Sequence, residues 1–145
     1  MRTSLFHGMA TAALAALASI VYLNVYSEAL AVDFSAVVNN VGIIASCLIG
    51  GLLASLGYHF FRKWVKTRTD VWFNVIFTVL TFASCVPVFG LRLPLSVEAP
   101  ELFVGMVIPM HVFPLLFWLV SKPLFTYPEV GEHFSNRSFR VPFRQ

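Results

Sequence analysis

The residues in this sequence best equipped for chemistry are its histidines, and His111 has the most unusual surroundings. It stands in Pro109-Met110-His111-Val112-Phe113-Pro114, within a long apolar run. A proline has no N–H to give to the carbonyl four residues earlier. Pro109 therefore releases the carbonyl of Gly105, and Pro114 that of Met110, leaving two bare acceptors around an imidazole. An ionisable side chain at mid-membrane depth is by default a functional-site hypothesis. Three uses fit the chemistry. The neutral ring can bond a freed carbonyl or a nearby Ser or Thr and fix the kink; it can relay protons or solute beside a water-filled cavity; or it can ligate a metal or haem iron.

A second pair of imidazoles is His7 with His59. Both lie near the same end of their apolar runs, so facing helices would offer two axial ligands to one haem. The small residues expected between those helices leave little room for a porphyrin, and an interfacial histidine is more simply hydrated. At the opposite end, Asn24 and Glu28 lie one turn apart and Asn39 with Asn40 opens the next run. They are candidates for an outer polar cluster, with the plain alternative that they cap and wet helix ends. Cys47 and Cys85 form no CxxC pair and read as small buried residues, or as a redox pair if the fold joins them. No Gly-rich phosphate loop, HExxH or GxSxG is present, and no Asp or Glu lies deep in any apolar run. These absences argue against an enzyme and against a carboxylate-driven pump, and no resident metal is expected.

The elements that must carry these groups follow from composition. Of 145 residues, 58% are hydrophobic and 12% charged, whereas a soluble domain carries about 25% charged residues. Four runs approach the roughly 20 residues needed to cross a hydrocarbon core: about 5–26, 37–61, 71–91 and 102–120. They are continuously apolar, not alternating, so helices and not barrel strands are expected. The predicted fold is an all-α, four-helix transmembrane bundle forming one membrane domain, with a tail over 121–145. Arg2 and the Ala-rich first run, with Ala29-Leu30-Ala31 beyond, also resemble a secretory signal. That run is long for a signal core of about 7–15 residues, and a retained helix is expected.

Orientation follows from Lys and Arg beside the helix ends. Arg2, Arg62, Lys63, Lys66, Arg68, Lys122, Arg137, Arg140 and Arg144 fall on one side, and Arg92 alone on the other. Nine against one places both ends in the cytoplasm, in a membrane of bacterial inner-membrane type. The net charge of +3 suits anionic headgroups, and no nucleic-acid surface is indicated, because no basic face alternates with stacking aromatics.

Lipid is as apolar as leucine, so close approach through small residues must hold such helices together. Gly42, Ser46, Gly50 and Ala54 follow strict four-residue spacing in the second run. Gly8, Ala12 and Ala16 do so in the first, and these two helices are expected to pair most tightly. Whether the second row binds within the chain or to another copy stays open. Pro87, with Ser84 three residues before it, should kink the third helix. The tail mixes Phe125, Tyr127, Phe134, Phe139 and Phe143 with arginines, which suits headgroups, the chain's own inner loops or another polypeptide. The leading function is an accessory or scaffolding subunit of a larger membrane assembly or homo-oligomer. The alternatives are a small transporter or pore centred on His111, and a haem-binding, electron-transfer-associated subunit.

Overall fold

Hydropathy marks where the chain avoids water, but capping decides where its helices stop. The computed structural model describes residues 2–65, 67–93 and 99–126. Its helices are α1 (Arg2–Leu30), α2 (Asn40–Trp64), α3 (Thr69–Cys85) and α4 (Pro100–Thr126), with a short 3-10 turn over Val86–Gly90. No strand occurs among the described residues. Four helical stretches of 27, 25, 22 and 24 residues are long and apolar enough to cross a membrane. Most of the tail lies outside the described residues, as do Lys66 and Pro94.

The ends have local causes. α1 overruns the apolar stretch and closes in a Schellman-type turn, in which Val32 N–H bonds Ser27 O and Ala31 N–H bonds Glu28 O, with Ala31 at φ 53°. α2 begins three residues later than hydropathy suggests, because Asn39 caps it: Asn39 Oδ1 accepts from Gly42 N–H at 2.7 Å. Arg62 and Lys63 occupy its last turn, where cations meet the negative end of the helix dipole. α4 begins with Pro100, whose missing N–H is no loss at a first helical position. α3 gives way to the 3-10 turn at Pro87. The proline cannot bond Ala83 O, and Val86 N–H takes that carbonyl instead. Between α1 and α2, Asp33 accepts from Ser35 N–H at 2.8 Å, which holds its carboxyl below the usual range.

α1 is the central helix, packing along both α2 and α4, while α3 leans mainly on α4 and only lightly on α2. The short connection between α2 and α3 suggests antiparallel neighbours, but their contact is a minor one. The tightest contact in the molecule is between α1 and α2. A methyl added at Gly8 would stand 1.7 Å from Ser55 Oγ and 2.6 Å from Gly51 O, and one at Gly51 would stand 2.7 Å from Ala12 Cβ and from Gly8 O. The row facing α1 is thus Ile43, Cys47, Gly51 and Ser55, all buried, one residue round from the row picked out by spacing. Gly42, Ser46 and Gly50 turn outward, and only Ala54 of that row is buried. On the α1 side, Ala12 and Ala16 are buried, with Ala15 and Ser19.

Above this contact, Phe34 from the α1–α2 connection is buried against Phe103 and Met106 of α4. The connection folds back on the bundle instead of lying flat beside it. At the other end, Trp118 is enclosed by Ala54, Tyr58, Phe61, Phe73 and Phe77, joining α2, α3 and α4.

Candidate functional site

Two places gather polar groups where the surroundings are apolar. The first lies at the end of the bundle where α1 starts, α2 and α4 finish, and α3 begins. Ser121 is its hub. Ser121 Oγ lies 2.9 Å from His7 Nε2, 3.1 Å from Thr11 Oγ1 and 2.5 Å from Phe117 O. A hydroxyl has a single hydrogen. With that hydrogen on the Phe117 carbonyl, Ser121 accepts from both His7 and Thr11, and α1 is tied to α4. The His7 ring also rests on Trp118, centroids 4.3 Å apart. His59 meets the ring of its neighbour Phe60 on α2. The two imidazoles thus serve different surroundings, and His7 Nε2 is already engaged.

At the next residue, Lys122 Nζ lies 3.0 Å from Asp70 Oδ1 and 3.5 Å from Asn74 Oδ1. It also stands 5.2 Å from the centre of the Tyr58 ring, within cation–π range. Tyr58 donates its hydroxyl to Asp70 Oδ1 at 2.5 Å. A charge pair therefore ties α3 to α4 and, through Tyr58, to α2. It compensates for the thin apolar packing of α3. Trp118 is buried beneath it, its Nε1 without a hydrogen-bond partner among the described residues. Removing the hub should be felt, though interhelical hydrogen bonds between membrane helices average well under 1 kcal/mol each. Ser121→Ala strips partners from His7 and Thr11 together, so a loss of about 1–2 kcal/mol is expected in detergent unfolding. Replacing all three groups by apolar residues of similar shape should restore much of it.

The second place is at mid-depth. His111 is the midpoint of the apolar stretch Pro100–Pro123, and its Nδ1 lies 3.0 Å from Val107 O, one turn back. The carbonyls released by the prolines have other fates. Tyr22 donates its hydroxyl to Gly105 O at 3.1 Å, taking the place of the N–H that Pro109 lacks, and Tyr26 donates to Leu102 O at 2.8 Å. Gly105 leaves room for this, since a methyl there would stand 2.7 Å from Tyr26 Oη and push the ring aside. Tyr22→Phe re-exposes that acceptor, and a loss of about 1 kcal/mol is expected, while Tyr22→Phe in a Pro109→Ala background should cost little.

Beside His111 is a half-open cavity of about 460 Å³ between α1, α2 and α4, lined by Ser19, Asn39, Gly42, Cys47, Met110 and Pro114 among others. Asn24, Glu28 and Asn40 are exposed on the surface at that end of the bundle, so of the four outer polar residues only Asn39 reaches the cavity. Cys47 and Cys85 are both free thiols. Among the described residues, no group of three or more His, Cys, Asp or Glu side chains is arranged to hold a metal ion.

Comparison with protein-family models, with characterised proteins and with solved structures finds no match to this chain. The functional reading therefore rests on the geometry above. Thr11, Tyr58, Asp70, Trp118, Ser121 and Lys122 were not candidates from sequence. The available cue was weak: Asp70 and Lys122 are charges at the edges of apolar runs, where each alone reads as hydrated.

Proposed function

We propose that this chain is a four-span integral membrane protein whose basic end lies in the cytoplasm, and that it serves as an accessory or scaffolding subunit. The observation that supports this role is the outward row Gly42, Ser46 and Gly50 on α2. A methyl at Gly50 would meet nothing within 4 Å, so none of the described residues uses the close approach that Gly50 permits. In lipid such a row is the surface on which a second helix can bring its backbone near. Ala45, Ile49 and Leu53 flank it and are exposed, giving apolar shoulders on which the same helix would rest. The asymmetry of nine basic residues against one supports the orientation.

Gly50→Cys, in a background with Cys47 and Cys85 replaced by serine, tests this reading in native membranes. Oxidative or short bismaleimide crosslinking should give one discrete product, either a dimer of this chain or a heteromer with a membrane partner, and Leu80→Cys on α3 should not. A ladder of products equal at both positions, or none at Gly50, would sink the docking role.

A further inference from the structure

The mid-depth cavity holds polar groups that the fold leaves without work. Ser19, 1% exposed, lines it, and within ordinary hydrogen-bond limits its Oγ has no partner among the described residues. Pro114 leaves the Met110 carbonyl without its helical donor, and both residues line the cavity. His111 lines it as well. Its Nδ1 faces a carbonyl, which only accepts, so Nδ1 carries the hydrogen there. In the neutral ring that leaves Nε2 as an acceptor. The rest of the wall is largely apolar, including Val37, Val38, Ile43 and Val107, and among the described residues no lining side chain is an acid, a lysine or an arginine.

These features select a ligand class. Absence of charge in the lining disfavours ions and charged headgroups, which would enter a low-dielectric wall without a partner. Water alone would be held poorly by aliphatic walls, whereas a few convergent polar groups in an apolar cavity of about 460 Å³ are the usual make-up of a small-molecule site. A hydroxyl suits the polar set: its hydrogen goes to an acceptor such as His111 Nε2. We propose that this cavity binds a neutral, hydroxyl-bearing lipophile, a long-chain or ring alcohol that enters from the bilayer. The proposal rests on the membrane reading above; the cavity wall shares Gly42 and Ser46 with the docking row, while Gly50 lies outside it, so crosslinking at Gly50 reads the row alone.

The test uses the full chain in nanodiscs with a diazirine-bearing hexadecanol, against its methyl ether as a control. Saturable labelling mapped to α2 and α4 around Cys47 and Met110 is expected, displaced by unlabelled hexadecanol, with the ether labelling several-fold less. His111→Phe should reduce labelling about five-fold or more, the consequence of one lost hydrogen bond. Ser46→Phe, at an exposed position on the rim, should block entry without disturbing the buried core. Labelling spread evenly over outward residues such as Val79 and Phe82, equal labelling by the ether, or no effect of either variant would overturn the site. Failure of the chain to enter nanodiscs would instead contradict the membrane reading.

Discussion

Gly51→Ala is expected to destabilise the protein by about 3 kcal/mol, and Gly8→Ala by at least as much, because the added methyl must displace backbone and not a movable side-chain tip. At Gly51 it meets Gly8 O and Ala12 Cβ, both at 2.7 Å, and at Gly8 it meets Gly51 O at 2.6 Å as well as Ser55 Oγ. Overpacking of an already close contact typically costs about 1–3 kcal/mol, with more when the helices must separate. Gly50→Ala sits one residue away and meets nothing, so it should be neutral or gain up to about 1 kcal/mol from helix propensity. Reversible unfolding in detergent or nanodiscs reads all three. Equal effects at Gly50 and Gly51 would mean that α2 presents a different face to α1.

Asp70→Asn should produce the second large effect. Lys122 has only 14% of its side-chain surface exposed, while Asp70 has 48%. Deleting the acid removes the carboxylate that stands 3.0 Å from an enclosed ammonium, which keeps Tyr58 and Asn74 beside it. Breaking a fully buried pair costs about 3–5 kcal/mol, and the half-exposed carboxylate calls for a discount, so about 2 kcal/mol is expected. Lys122→Met should cost less, because Asp70 can turn to water and keep the Tyr58 bond. The double variant should be more stable than the sum of the single losses requires. Additive losses in that cycle would show that the two groups do not act as a pair.

The sequence makes the class of the fold plain and its internal arrangement obscure, for one physical reason. Four apolar stretches are visible because charge is nearly absent from all of them, and the structure has four helices there. Which side of each helix faces inward is a different matter, since lipid and protein interior are equally apolar. On α2, Gly42-Ser46-Gly50-Ala54 and Ile43-Cys47-Gly51-Ser55 have the same four-residue period, and only the fit of Gly51 against Gly8 separates them. His111 with its two prolines was legible as unusual. That Tyr22 would satisfy the carbonyl released by Pro109 was not, because Tyr22 and the Gly105 that bears this carbonyl are 83 positions apart in sequence. The Ser121 hub was invisible for the same reason: its partners His7 and Thr11 are 114 and 110 residues away, and neither has a local pattern that announces the other.

The polar hub, the charge pair and the α1–α2 contact do different jobs. Gly8 and Gly51 set how near two helices come, while Ser121, Lys122 and Asp70 fix which helices meet at the basic end. What remains unspent is on α2 and beside His111, and both proposed roles draw on those surplus features.

Accessibility of single cysteines in sealed, oriented vesicles tests the central claim most directly. In a chain with Cys47 and Cys85 replaced by serine, cysteines are placed at Arg68, between α2 and α3, and at Ser35, between α1 and α2; both positions are exposed. A membrane-impermeant maleimide should label Ser35→Cys from the outside and Arg68→Cys only after the vesicles are opened. Labelling of both positions from the same side would contradict a chain that crosses the bilayer four times with its basic end inside.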